Sequence, residues 1–135
     1  MKAVILLSLI FSFAAFAEKW SAENEWKTNC MTCHTVGGGD KIGPDLAQVN
    51  KRRSKKWLKK YIKYPMGMMQ GDPEEAEYKT ADKTAAALYA LYKPQMMAEQ
   101  ELSDKQIKDL LKHIKKLSKG KKPKGKITKL LKMKK

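Results

Sequence analysis

The sequence predicts a small all-α domain with long loops. Apolar residues recur at helical spacing, Gly and Pro residues divide the chain into short pieces, and no stretch alternates as a β-strand would. The chain has 135 residues, which is enough for one small domain. Because so small a domain buries only a modest fraction of its surface, a cofactor, a metal or disulfides often complete its core.

Residues 1–17 are predicted to be a secretory signal peptide rather than part of the fold. Lys2 gives a positive start, residues 3–13 are almost wholly apolar, and Ala15 and Ala17 form a small-x-small cleavage site. The apolar run is shorter than the ~20 residues that a membrane span needs. We therefore expect an exported protein, periplasmic in a bacterium, with an uncleaved membrane anchor as the alternative.

The first helix of the mature chain is predicted at residues 21–33. Ser21 is a suitable N-cap, and Trp26 is placed to face inward. Three consecutive glycines then force a loop over residues 37–44, where a helix would be costly.

Two further helices are predicted in the middle of the chain. Residues 54–64 combine an apolar stripe with a lysine-rich opposite face, and Pro65 is expected to end that helix. Residues 66–71 are expected to be a methionine-rich loop. A cap, a proline and two acids at residues 72–75 predict the start of another helix, of which residues 85–92 are the most strongly helical part.

The last predicted helix has the clearest pattern. Residues 103–106 read as a capping box, and Gly120 is suited to close the helix. Its apolar stripe consists of Ile107, Leu110, Leu111, Ile114 and Leu117. Residues 18–118 are thus the predicted helical domain. Residues 119–135 contain nine lysines and are predicted to be a flexible, self-repelling tail.

The charge of the chain predicts which partners it binds. The formal net charge is +15, from 29 Lys and Arg residues against 14 Asp and Glu residues. Such a field favours acidic partner proteins or anionic membrane surfaces, and export argues against nucleic acid. The Lys-rich tail can hold the protein to anionic lipid, although a solvated charge run explains it equally well.

The two cysteines of the chain, Cys30 and Cys33, are followed directly by His34. C-x-x-C-H is the attachment pattern of haem c. At a helix end the two sulfurs can reach both vinyl groups of one haem, and the histidine comes beneath the iron as its proximal ligand. A redox-active thiol pair would be expected beside a βαβ pattern, and a zinc site would need more than the one remaining histidine, His113. We therefore predict one covalently attached haem.

The sequence resembles class I cytochromes c over most of the mature chain. Three segments match. The first is the helix that leads into residues 30–34. Residues 42–46 are similar to the G-P-x-L segment of the family, and residues 97–104 are similar to its M-P-x-x-x-L-[ST]-[DE] segment. The resemblance implies that the Pro44 carbonyl accepts a hydrogen bond from the His34 ring. It also implies that Met97 is the sixth ligand of the iron. Ala98 departs from the pattern, which has proline there.

Other side chains are candidates for the haem site. Met96 lies next to Met97 and becomes the sixth ligand if the register slips by one residue. The earlier methionines are Met66, Met68 and Met69. They are expected to pack in the haem pocket or its loop. Trp57 and Tyr61 can donate hydrogen bonds to a haem propionate, but packing explains their apolar stripe equally well.

The resemblance implies an electron-transfer protein rather than an enzyme. With His34 and Met97 filling both axial positions, the iron has no open site for a substrate. The partner class that the resemblance implies is respiratory: a quinol-oxidising complex, a terminal oxidase or a periplasmic reductase. The alternative function is that of a peroxidase or gas sensor with a labile sixth ligand, for which Ala98 leaves room.

Overall fold

The computed structural model describes residues 19–132, so the predicted signal peptide at residues 1–17 lies outside the described residues. The helices are α1 Ala22–Glu25, which continues as a π-helical segment Trp26–Cys30, α2 Val49–Arg52, α3 Lys55–Lys63, α4 Pro65–Gln70, α5 Lys83–Tyr92, α6 Asp104–Leu117 and α7 Ile127–Lys132. The all-α prediction is confirmed. Within residues 19–132, no helix is both long and apolar enough to cross a membrane.

Three helices begin at serine caps, of which the sequence predicts those at Ser21 and Ser103. Ser21 and Ser54 each accept a hydrogen bond from the backbone amide three residues further on. Ser103 and Gln106 form the predicted capping box at the start of α6. Each cap satisfies an amide that the first helical turn leaves without a partner, which is typically worth about 1 kcal/mol.

The main core lies where the first helix, α3 and α6 meet. The apolar stripe of α6 faces it, as do Leu58 and Ile62 of α3, and the charged residues of both helices are exposed or half-buried. The buried residues of this core are Trp26, Val49, Leu58, Ile62, Ile107, Leu110, Leu111 and Ile114. Because each fully buried aliphatic side chain contributes about 1.5–3 kcal/mol, this cluster fixes the three helices around the cavity described below.

The methionine-rich residues 66–70, expected to be loop, belong to helix α4. Pro65 ends α3 as predicted, but it also takes the first position of α4, where a missing amide costs no hydrogen bond. Met68 and Met69 are buried in this helix and pack with Ala85 of α5 as a second cluster. The burial of these two side chains stabilises a short helix that Gly67 weakens.

The helix expected to start at residues 72–75 starts later in the chain. Helix α5 begins at Lys83, with Asp82 as its N-cap. Residues 73–80 form turns and bends instead. Tyr78 is their only large apolar side chain, so a helix there would have no face to bury.

The C-terminal residues up to 132 pack against the domain, which corrects the prediction of a flexible tail. The backbone amides of Lys124 and Lys126 donate hydrogen bonds to Asp45 and Asp40. Helix α7 follows, and its first residue, Ile127, is 2% exposed. The lysine side chains of residues 119–129 are exposed, while the backbone and the Ile127 side chain pack against the domain. Residues 133–135 lie outside the described residues.

Candidate haem-binding site

A large cavity lies between α3, α5, α6 and the loop that follows the cysteines. It contains about 1490 Å³ of empty space, its mouth included, and its walls are mostly apolar. The predicted site residues that line it are Cys30, Cys33, His34, Pro44 and Met97. The structure therefore brings together in one cavity every residue that the sequence assigned to the haem.

The turn after the π-helical segment places the cysteines on one wall of this cavity. The amides of Cys33 and His34 both donate to the Cys30 carbonyl, at 3.1 and 2.9 Å. Both thiols are free. Burial, with smaller effects of Glu25 and Cys33, raises the pKa of Cys30 to about 11. Because the thiolate is the reactive form, this environment disfavours the alternative of a redox-active thiol pair.

The imidazole of His34 is held by the backbone of the following loop. Its Nδ1 lies 2.8 Å from the Pro44 carbonyl oxygen, as the resemblance implied. A carbonyl only accepts, so Nδ1 carries the proton and Nε2 keeps a free lone pair. Burial lowers the pKa of His34, although the Pro44 hydrogen bond opposes that effect. The ring is therefore a neutral imidazole with one nitrogen available to a metal.

Gly43 fixes the position of this ring, because a side chain there would collide with it. A Cβ atom at Gly43 would lie 2.6 Å from Cε1 of His34. Gly43→Ala is expected to displace the imidazole and to lower the yield of normally ligated haem protein severalfold. Haem absorption spectra and the melting temperature measure this effect. Gly38→Ala is the matched control, since the atoms nearest to a Cβ there belong to the Thr35 side chain, at 3.2–3.4 Å, and not to His34. Unchanged axial-ligand spectra in Gly43→Ala would contradict the prediction.

Three methionines line the cavity, and their surroundings differ. Met97 is half-buried and packs against the main core. Met96 is 38% exposed, and its sulfur lies 4.0 Å from the Gln70 amide nitrogen. Met69 is 4% exposed and its sulfur accepts a hydrogen bond from the Tyr61 hydroxyl at 3.6 Å. Met69 thus lies in the pocket, as expected for a packing residue.

Two buried donors at the cavity have no partner among the described residues, namely Trp57 Nε1 and Arg52 Nε. The other end of the Arg52 guanidinium donates to the carbonyls of Asp45 and Ala47, at 2.8 and 3.0 Å. Buried donors without a partner are costly, so they indicate an acceptor that belongs in the cavity. Haem propionates are such acceptors, and Arg52 is a residue that the sequence analysis missed.

Tyr61 is not placed as a propionate donor, and His113 is not placed as an iron ligand. The Tyr61 ring stacks on Trp57 with 4.9 Å between centroids, and its hydroxyl donates to Met69. The propionate role predicted as one option for both aromatics is therefore supported for Trp57 only. His113 is half-buried on α6 and is outside the set of residues that line the cavity.

These residues fit a haem. Two sulfurs, a neutral imidazole with a free nitrogen, a thioether and two unpaired donors surround one apolar cavity, and that arrangement defines a c-type haem protein. The sequence model described as "Cytochrome c" matches residues 22–118. The chain belongs to the cytochrome c family. It follows that the protein binds one covalently attached haem c, and that it is of a class whose members generally transfer electrons.

Two solved structures are similar to this chain. A cytochrome c from Rhodothermus marinus is 26% identical with a TM-score of 0.59, and the match covers 74% of this chain and 76% of that one. The cytochrome c domain of the pp3183 protein from Pseudomonas putida is 27% identical with a TM-score of 0.56, over 74% of this chain and 90% of that one. No curated protein matches.

Proposed function

We propose that this protein is an exported mono-haem electron carrier whose haem is attached at Cys30 and Cys33 and ligated by His34 and Met97. The observation that supports this assignment is the single cavity that all four residues line. The bound haem supplies an iron that alternates between the ferric and ferrous states. The apolar walls exclude water from it, and Pro44 keeps the His34 ring in one orientation.

Met97 is the preferred sixth ligand because of its surroundings. It is half-buried against the main core, so its side chain is held at the cavity. Met96 is more exposed and directs its sulfur towards Gln70 on α4, and the Met69 sulfur already accepts the Tyr61 hydroxyl. A thioether ligand stabilises ferrous iron and so raises the reduction potential relative to bis-histidine ligation.

Met97→Ala is expected to abolish the methionine-to-iron charge-transfer band of the oxidised protein. Its reduction potential should fall by a sizeable part of the roughly 0.8 V that axial ligands span. Met96→Ala and Met69→Ala are matched controls that should keep the band. The absorption spectrum and a spectroelectrochemical titration of the purified protein measure both quantities. If the band followed Met96 or Met69 instead, the ligand assignment would be wrong.

The same spectra distinguish an electron carrier from the alternative, a peroxidase or gas sensor. A labile sixth ligand predicts that the unsubstituted protein already lacks the methionine band and binds an added ligand such as cyanide readily. The proposed carrier predicts that cyanide binds readily only after Met97→Ala. Ala98, where the family pattern has proline, is the feature that motivates this comparison.

The mouth of the cavity is the face we propose for electron exchange. Ile42 and Met96 line the cavity and are 49% and 38% exposed, and Met31, between the cysteines, is 47% exposed. Lys41 adjoins them, with its ammonium group 2.7 Å from the Met31 carbonyl. An apolar face beside a cation suits an acidic redox partner, and the net charge of +15 would speed its approach at low salt.

The respiratory setting and the location of the protein are part of the same proposal. Residues 1–17 have the composition of a signal peptide. An exported carrier of this class would serve a quinol-oxidising complex, a terminal oxidase or a periplasmic reductase. The exposed lysines of residues 119–129 can add weak attraction to anionic lipid without leaving the domain.

A further inference from the structure

The C-terminal strap, defined here as residues 121–131, lies beyond the part of the chain that the family model matches. Its backbone follows the loop that carries Pro44. The Gln48 side-chain amide donates to the Lys121 carbonyl at 2.7 Å, and the amides of Lys124 and Lys126 donate to buried or half-buried carboxylates. The ordering of this strap therefore depends on specific contacts rather than on its charge.

Asp40 and Tyr92 anchor the middle of the strap. Asp40 accepts hydrogen bonds from the Lys126 amide and from the Tyr92 hydroxyl, both at 2.7 Å. The Lys126 ammonium also lies 5.4 Å from the centroid of the Tyr92 ring. Gly125 has φ +83°, and a Cβ atom there would overlap the Asp40 carboxylate. A glycine at position 125 therefore lets the strap approach Asp40 more closely than a residue with a side chain would.

These anchors place Ile127 in the wall of the haem cavity. Ile127 is 2% exposed and is one of the residues that line the cavity. It is the part of the strap that turns away from solvent, whereas the neighbouring Lys126 and Lys129 are exposed. An aliphatic side chain in this position closes the wall between the Pro44 loop and the end of α5.

We propose that Ile127 shields the haem site from water. Through this side chain the C-terminal strap raises the reduction potential of the haem. This inference rests on the proposed function for the presence of the haem in the cavity. Ferric haem carries one more positive charge than ferrous haem, so a drier and less polarisable surrounding favours the ferrous state. Admitting water beside Ile127 removes that preference.

The lysines of the strap would also raise the potential through their charge, so the test separates shielding from charge. Ile127→Ser in the full-length holoprotein opens the wall and leaves every lysine in place. Lys122→Gln removes one exposed charge and leaves the wall intact. The reduction potential of each variant is measured at fixed ionic strength, together with its melting temperature.

Ile127→Ser is expected to lower the ferrous-to-ferric ratio at a fixed applied potential about tenfold, which is about 59 mV for a one-electron couple. Lys122→Gln is expected to change the same ferrous-to-ferric ratio by less than about twofold. A lower melting temperature with an unchanged potential would overturn the proposal, because Ile127 would then be structural only. An equal shift in Lys122→Gln would overturn it in favour of charge.

A pair of nearly isosteric variants covers the case in which Ile127→Ser does not fold. Threonine has a hydroxyl group where valine has a methyl group, and the two are otherwise alike in shape. The Ile127→Thr variant should therefore have a ferrous-to-ferric ratio about threefold lower than that of Ile127→Val. Equal potentials in this pair would also contradict the proposal. The unsubstituted protein tests the proposed function independently. If that function is wrong, its spectra will lack covalent haem or methionine ligation.

Discussion

Replacing Cys30 and Cys33 together by serine is expected to give a chain that retains no haem under denaturing conditions and does not form a stable fold. Serine keeps the size of each side chain but cannot form the thioether bonds that tether the haem. Without that group, a large and mostly apolar cavity is left open in the domain. The expected loss exceeds the roughly 5–15 kcal/mol by which domains of this kind are stable.

Mass spectrometry of the denatured chain measures the tethering, and far-UV circular dichroism measures the fold. Met31→Ala is the matched control, because Met31 lies between the two cysteines but is 47% exposed. It should keep both haem and helices. Haem that survived acid-acetone extraction of the double variant would show that the attachment does not depend on Cys30 and Cys33.

The short-range chemistry of the haem site was accessible from the sequence because its parts are neighbours in the chain. Cys30, Cys33 and His34 lie within one turn, so their spacing nearly determines their relative positions. The apolar stripes of α3 and α6 were predictable for a similar reason, since the period of a helix fixes which residues share a face. The Pro44 contact came from the family resemblance, and the structure contains it at 2.8 Å.

The parts that the sequence analysis missed depend on contacts between distant segments. Arg52 meets the cavity because α2, which has only four residues, turns its side chain inward. The order of the C-terminal strap depends on Asp40 and Asp45, about eighty residues earlier in the chain. The lysine content concealed the signal that could have revealed the strap, namely Ile127, Leu130 and Leu131 at helical spacing.

Asp45→Asn is expected to be the most destabilising single substitution of the loop. Asp45 is fully buried, and its carboxylate accepts hydrogen bonds from the amides of Gly37, Gly39, Ala47 and Lys124. Asparagine replaces one of the two oxygens by a donor, which faces two of these amides. Since hydrogen bonds to a charged group contribute about 1.5–3 kcal/mol each, the loss should be about 3–6 kcal/mol.

Denaturant unfolding at pH 7 measures this loss. Asp109→Asn is the matched control, because the Asp109 carboxylate forms surface ion pairs with Lys105 and Lys112. Such pairs typically contribute about 0–1 kcal/mol, so the control should unfold almost as the unsubstituted protein does. A loss of less than 1 kcal/mol in Asp45→Asn would show that the four amides find other acceptors.

The pH dependence of the unfolding free energy, compared between the unsubstituted protein and Asp45→Asn, tests whether Asp45 acts as a charged group. Burial raises the pKa of this carboxyl, but its four backbone hydrogen bonds together outweigh burial and hold the pKa below its ordinary value. A carboxyl with a lowered folded pKa stabilises the fold above its unfolded pKa of about 3.9, and the stabilisation is lost as the pH falls through the folded pKa. The difference in unfolding free energy between the unsubstituted protein and Asp45→Asn should therefore narrow as the pH falls below about 4. A difference that stayed constant from pH 7 down to pH 2 would mean that Asp45 holds the loop and the strap as a neutral group.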